Sequence, residues 1–314
     1  MTFKFVDEKN AKPFLKWAGG KKQVIDFIDK KLPTEIKSTG EIDTYVEPFL
    51  GGGAVFFYLS SQFKIKNVYL SDINKELILT FNVVKNKPKK LISELEPFED
   101  DFLQLSPELR KEFYYDVRDK FNESLENFDY DNFSEEHIIR ASQMIFLNRT
   151  CFNGLYRVNK SGKFNVPIGK YKNPLICDKE NLLKVSNVLK KVNVFCGDYS
   201  ESEEFIDENS FVYLDPPYLP IKKNSFTSYN SDGFGVKEQI ELSQFCKRID
   251  DIGAKFILSN SDPKNYDPSC NFFEETYGNL NLKEFGHNRI KVRRSINSKG
   301  NKRGPIKELL IYNY

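Results

Sequence analysis

Phe211-Val212-Tyr213-Leu214-Asp215-Pro216-Pro217-Tyr218 limits the possible folds more than any other stretch of the chain. Four apolar residues, β-branched and aromatic, predict a buried strand. Two consecutive prolines then end its ladder, since neither donates a backbone N–H. Asp215 stands before a proline and is biased to an extended backbone. Open α/β sheets bind their ligands at the carboxyl ends of strands, which is where this carboxylate would sit. The proline carbonyls lack a competing local donor, Asp215 adds an acceptor, and Tyr218 adds a flat face. An exocyclic amine on a flat ring, with two N–H donors, matches the set group for group. A plain strand exit with a proline turn is the alternative. Pro-Pro alone would favour it, but the full Asp-Pro-Pro-Tyr after an apolar strand favours function.

A chain of 314 residues allows one large domain or two smaller ones and buries a core easily. Its net charge of +2, with 29% charged residues, is not that of a strongly basic coat protein, so any nucleic-acid face must come from local clustering. Five scattered cysteines, no CxxC and two histidines argue for reduced thiols in a cytoplasmic protein and against structural zinc. Met1 to Asn10 is charged and lacks an apolar core, so no signal peptide is expected. No apolar run approaches the roughly 20 residues that span a bilayer.

Pro13-Phe14-Leu15-Lys16-Trp17-Ala18-Gly19-Gly20-Lys21 is a short apolar run and a Gly-Gly turn, with the only tryptophan. The glycines permit close backbone approach to a ligand, and Lys21 can reach an anion there. An N-terminal turn with Trp17 as a core plug is equally compatible. Thr44 to Phe57, containing Phe49-Leu50-Gly51-Gly52-Gly53, reads as strand, glycine loop and helix. Its spacing is not the G-x-G-x-x-G of dinucleotide binders, which argues against a nicotinamide-dependent oxidoreductase. Strand Asn67–Asp72 ends in an acid about 20 residues past the loop, the usual distance of a ribose-binding carboxylate. Asp72 would equally suit a helix N-cap, and the two roles are compatible.

The α/β alternation stops from about Lys85 to Tyr171, where helical periods dominate, as in 112–118 and 138–147. A block this long is an inserted subdomain rather than a loop. It ends in a stretch, 148–172, whose Asn-Gly and Ser-Gly turns suggest a β-hairpin. There Arg149, Arg157, Lys160, Lys163, Lys170 and Lys172 alternate with asparagines and aromatics. That mixture suits phosphate contacts and base-edge hydrogen bonds better than a merely solvated hairpin. The α/β pattern resumes with helix 179–190, strand 192–196 and a third strand-end acid, Asp198. Beyond Tyr218, the polar loop 220–236 has glycine hinges that fit a lid. Helix 237–251, strand 254–260 and two last strands near 283–292 and 308–314 follow, the last two separated by a basic loop, 291–304, that could meet phosphate.

Taken together, these segments resemble the Dam-type DNA adenine-N6 methyltransferases of the D12 class, which act mainly at GATC. The resemblance rests on Lys16-Trp17-Ala18-Gly19-Gly20-Lys21, Glu47-Pro48-Phe49-Leu50-Gly51-Gly52-Gly53, Asn148-Arg149, Phe152 to Arg157, Phe164 to Pro167, Asp215 to Tyr218, Arg293 to Ile296 and Glu308-Leu309-Leu310. It runs from about Lys12 to the C-terminus. It implies a Rossmann-like α/β sheet binding S-adenosylmethionine (SAM), built from residues 1–84 and 172–314. Residues 85–171 would be a mostly helical target-recognition subdomain carrying the hairpin. It further implies SAM contacts at Trp17, Lys21, Asp72, Asp198 and Asp215, with Phe49, Gly51 and Gly53 against the methionine part. Asp215, Pro216, Pro217 and Tyr218 would carry catalysis on a flipped adenine, without a metal. Arg149, Phe152, Asn153, Arg157, Pro167, Lys170 and Tyr171 would meet double-stranded DNA. Lys170 departs from the family's arginine and lacks its bidentate fork. The implied partners are duplex DNA and a cognate restriction endonuclease acting on the same site, with no membrane, and a monomer or weak dimer is expected. The rival readings are an amino-methyltransferase on cytosine N4, RNA or a protein amide, and a non-catalytic DNA-binding regulator that keeps a SAM pocket. No Pro-Cys nucleophile pair supports cytosine-C5 chemistry.

Overall fold

Strands and helices alternate as the apolar periods predict, apart from one long helical block. The computed structural model describes residues 11–17, 22–218, 234–265, 267–280, 286–293 and 305–314. Helices α1 (Lys22–Lys31) and α2 (Thr34–Thr39) precede strand β1 (Glu41–Glu47), and α3 (Ala54–Gln62) leads to β2 (Lys64–Asp72). Four helices follow: α4 (Lys75–Asn86), α5 (Pro88–Gln104), α6 (Pro107–Glu123) and α7 (Glu135–Thr150). Then come α8 (Lys179–Leu189), β3 (Asn193–Cys196), β4 (Ser210–Leu214), α9 (Val236–Ile252), β5 (Lys255–Ser261) and α10 (Phe272–Gly278). Strands β6 (Gly286–Arg293) and β7 (Pro305–Tyr312) complete the chain. The expected α/β class is borne out, with seven described strands of mixed direction. The expected lid, 220–236, lies almost wholly outside the described residues, as do Lys21 and most of the basic loop 291–304.

The chain folds as two units. One combines Lys21–Leu50, Phe63–Ser71 and Gly197–Tyr314. Its strands run in the order β2-β1-β4-β5-β7-β6. β1 is parallel to β2 and β4, and β4 is parallel to β5. β7 is antiparallel to both β5 and β6. The chain leaves β1 toward β2 and leaves β4 toward β5, so strand order reverses between β1 and β4. A crevice outside the carboxyl ends of those two strands is where such sheets take ligands. β4 is buried along its whole length, as its apolar run requires. Val212 and Leu214 pack with Leu242, Phe245 and Ile249 of α9 and with Leu309 and Ile311 of β7.

The other unit draws on the first 20 residues, Gly51–Gln62 and Asp72–Cys196. It is mostly helical, and α7 runs through its core with eleven buried residues. Phe146 meets Phe98, Phe102 and Phe113 with ring centroids 5.2–5.6 Å apart. Arg140 of α7 is fully buried and its Nε donates to both oxygens of Glu76 on α4, at 3.0 and 2.8 Å. The guanidinium lies 4.3 and 4.7 Å from the rings of Phe121 and Phe128, and the Tyr130 hydroxyl donates to the same carboxylate. A buried charge persists only when paired and hydrogen-bonded in this way.

Candidate active site

The end of β4 is built from within its own unit. Asp215 and Tyr218 are half-buried, Pro216 is buried and Pro217 is exposed. The proline carbonyls are expected to lack a local donor, and the one donor that reaches Pro217 is distant in sequence: its carbonyl accepts from Gln239 Nε2 at 3.4 Å. Gln239 Oε1 in turn accepts from Asn260 Nδ2 at 3.1 Å, and Asn260 Oδ1 accepts from the Ser261 amide at 2.8 Å. Gln239 and Asn260 are both fully buried. This amide relay ties the turn after β4 to α9 and to the end of β5. Burial, with Asp215 and Glu308 close by, raises the Tyr218 hydroxyl well above the ordinary phenol range, and that hydroxyl hydrogen-bonds Glu308. The ring is therefore neutral and tethered at its polar tip. Tyr213 is likewise raised by burial and by Asp215, and its hydroxyl pairs with Ser259 at 2.9 Å. Near the end of β1, Tyr45 donates to Glu47 at 2.7 Å, both buried.

Phe49, from the segment that follows β1, stacks on Tyr199 with centroids 5.3 Å apart and meets Phe234 edge-on. Asp198 precedes Tyr199 and caps a short helical turn, accepting from the Ser200 amide at 3.0 Å and its hydroxyl at 2.6 Å. It is exposed.

The glycine turn belongs to the helical unit. Gly51 and Gly53 adopt left-handed backbone, with φ of +49° and +69°. A Cβ on Gly51 would stand 2.8 Å from Trp17 Cδ1, so the indole requires a glycine there. Trp17 also stacks on Tyr156, at 5.4 Å and 16°. Asp72 accepts from the Gly51 amide at 2.9 Å through one oxygen and from the Asn74 amide at 3.0 Å through the other. Burial raises its carboxyl above the usual range, while the amides of Gly51, Asn74 and Ile73 oppose the shift. The N-cap of α4 is Asn74, not Asp72, because Asn74 Oδ1 receives the Leu77 amide at 3.1 Å. Asp72 instead fixes the glycine turn against the strand end.

The basic stretch after α7 sits in the same unit. It is an irregular antiparallel excursion whose pairing is limited to the bridges Cys151↔Ile168 and Val158↔Phe164. Asn159 closes the tip, accepting from the Ser161 and Lys163 amides. Phe152, Arg157, Pro167, Lys170 and Tyr171 are exposed, whereas Arg149 and Asn153 are half-buried. Phe152 donates its amide to the Pro167 carbonyl at 2.8 Å. Asn153 is the only described non-glycine residue with positive φ, at 57°. Its Nδ2 and the Arg149 Nε are buried without a partner among the described residues. Arg157 Nε donates to Asn165 Oδ1 at 2.7 Å, which orients the guanidinium. Lys16 lies with its Nζ 4.0 Å over the Tyr171 ring, and burial followed by Arg149 lowers its pKa.

Three organising side chains stand outside the sequence-read candidates. Asn148 is buried, accepts from the Lys16 amide at 2.7 Å and donates to the Lys16 carbonyl at 2.7 Å and the Gly154 carbonyl at 3.2 Å. It locks the segment before Trp17 to the start of the basic stretch. Gln239 and Asn260 are the other two. Each is a polar residue on an otherwise apolar face, the available signal in the sequence.

Among the described residues no group of three or more His, Cys, Asp or Glu side chains is placed to hold a metal ion. No described helix is long and apolar enough to cross a membrane. A family model described as D12 class N6 adenine-specific DNA methyltransferase matches residues 17–296. The type II methyltransferase M.MjaIII of Methanocaldococcus jannaschii is 50% identical over 305 residues, covering 96% of this chain and 99% of that protein. The DNA adenine methylase of Haemophilus influenzae is 35% identical over 303 residues, with 95% and 92% covered. That of Escherichia coli is 33% identical over 309 residues, with 96% and 95% covered. With a strand-end Asp-Pro-Pro-Tyr, a glycine turn closed by a carboxylate and a family match across most of its length, the chain belongs to the D12 class N6 adenine-specific DNA methyltransferases.

Proposed function

We propose that the protein methylates adenine N6 within GATC in double-stranded DNA, using SAM. The observation that carries this reading is the turn after β4, where Asp215, two prolines and a tethered Tyr218 meet at the crevice edge of the sheet. Paired adenine buries its amine in the duplex, so the base must leave the helix first. Tyr218 offers its flat face to the extruded ring. Since Gln239 engages the Pro217 carbonyl, the Pro216 carbonyl is the one assigned to the amine, beside the Asp215 carboxylate. Two acceptors on the two N–H bonds aim the nitrogen lone pair and raise its electron density. Positioning and electrostatic complementarity then carry the catalysis. The carboxylate also provides an acceptor for the proton that N6 must lose.

The residues suit the donor. SAM, when bound, supplies an electrophilic sulfonium methyl. Trp17, Lys21, Phe49, Gly51, Gly53, Asp72, Asp198 and Asp215 are assigned to its binding. Bare backbone at the glycine turn permits close approach, and strand-end carboxylates suit ribose hydroxyls and the amino groups of the donor. Residues 85–171 are assigned to target recognition and 1–84 with 172–314 to catalysis. In the basic stretch, Arg149, Asn153, Arg157, Lys170 and Tyr171 would contact DNA and Phe152 would enter the duplex.

The relative at 50% identity is named a type II methyltransferase, which favours protection of host DNA from a partner endonuclease over a regulatory role. Cytoplasmic localisation and a monomer or weak dimer complete the reading. Asp215→Ala tests it: methylation should vanish while fold and duplex binding persist, and near-normal turnover would refute the role. Mapping methylated positions on DNA from a methylation-free host tests the site, and modification away from GATC would overturn that part.

A further inference from the structure

A cleft of about 630 Å³ lies within the helical unit. Helix α4 supplies Lys75 and Asn82, Lys87 follows its end, and the segment before α7 supplies Tyr130, Asp131 and Phe133. Lys75 Nζ stands 5.4 Å over the Tyr130 ring, and Lys87 Nζ stands 5.7 Å over Phe133. Phe133 is 52% exposed, a large ring left open at the rim. His137, on the first turns of α7, also lines the cleft and is only 5% exposed.

The histidine supplies the decisive observation. The Ser134 amide donates to His137 Nδ1 at 3.2 Å, so Nδ1 is the acceptor and the neutral ring carries its proton on Nε2. That Nε2 is buried and has no hydrogen-bond partner among the described residues. A buried donor without an acceptor costs free energy that a bound acceptor would recover. His137 and Arg149 are 12 positions apart on one helix, about 18 Å at 1.5 Å per residue, so the histidine end of the cleft is remote from Arg149, while Tyr156 of the basic stretch hydrogen-bonds Asn74 beside Lys75.

We propose that this cleft binds a small anion carrying a flat ring, of nucleotide size. Two ammonium groups against one carboxylate, Asp131, favour a compact anion. Tyr130 and Phe133 offer faces for a flat ring, and Ile78, Leu79 and Val83 line the cleft with apolar surface. His137 Nε2–H is closed to solvent in this structure, and a side-chain shift that opened it to the cleft would let a ring carbonyl accept from it. The volume lies within the range of small-molecule sites.

The test uses the full-length chain with 15N-labelled histidine, of which it has only two, His137 and His287. Thymidine 5′-monophosphate is the probe, with inorganic phosphate and thymidine as comparators. The expected result is a saturable shift of the His137 ring signals, with those of His287 unmoved. Each comparator alone should bind at least about tenfold more weakly. Lys75→Ala with Lys87→Ala should weaken the probe by a similar factor while methylation of DNA persists. No saturable His137 shift at millimolar probe would overturn the proposal. So would an equal response to inorganic phosphate alone, or unchanged affinity in the double variant.

Discussion

Gln239 donates its side-chain amide to the carbonyl of Pro217 at 3.4 Å while accepting from Asn260 at 3.1 Å. A glutamine can serve both ends of this relay because it has donor and acceptor on one planar group. Gln239→Glu keeps the acceptor for Asn260 but removes the donor for Pro217. The expected loss is about 1–2 kcal/mol of transition-state stabilisation, roughly five- to thirtyfold in kcat. KM for DNA should stay nearly constant, and a rise in KM at unchanged kcat would contradict the positioning role.

Gly51→Ala should damage the glycine turn in two ways. Its φ of +49° disfavours a side chain, and the new Cβ would press on Trp17 at 2.8 Å. A destabilisation of about 1–3 kcal/mol is expected, with loss of SAM affinity. Thermal unfolding and calorimetric titration with SAM read the two effects separately.

The Glu76–Arg140 pair predicts a non-additive pattern. Glu76→Ala leaves Arg140 charged and buried, at a cost of about 3–5 kcal/mol. Glu76→Leu combined with Arg140→Met removes both charges and should recover most of that loss. Denaturant midpoints compare the variants, and a double variant worse than the single would contradict the desolvation argument.

Acid should weaken the C-terminal strands through Glu274. Burial pushes its carboxyl up, but Lys264 and Arg289 outweigh that and hold it down at about 2. Lys264 Nζ lies 2.7 Å from Glu274, and Arg289 bridges it to Asp262. A carboxyl depressed in the folded state contributes stability that is complete above its unfolded value of 4.5 and lost as pH falls toward 2. Glu274→Gln should lower stability at neutral pH and flatten its decline between those values, as followed by thermal melts.

Arg157 is exposed and oriented by Asn165. Arg157→Ala should relax sequence choice by about 1–3 kcal/mol if it reads a base. Equal weakening on every duplex would assign it to phosphate instead. Competition between GATC and single-substitution duplexes separates the two.

Local chemistry was legible in the sequence and distant partnership was not. Phe211 to Tyr218 announced its own structure because strand propensity and proline act on neighbours. The glycine turn was legible for the same reason. Trp17 against Tyr156, or Asn148 against Lys16, depends on packing between segments far apart in sequence, which no periodicity encodes. The stretch 148–172 reads as a hairpin and does pair antiparallel, but only at isolated bridges, because its residues bond side chains such as Asn122 and Asn159 in place of a continuous ladder. Asp72 illustrates a chemistry read correctly as acidic and strand-terminal, with its immediate partner, Gly51, visible only in the structure.

Trp17 is the sole indole in the chain, in contact with both Gly51 and the Tyr156 ring. Its emission spectrum is therefore an intrinsic optical gauge of that one contact cluster. Stopped-flow mixing, with no label attached, can time the arrival of small molecule and of duplex from a single signal.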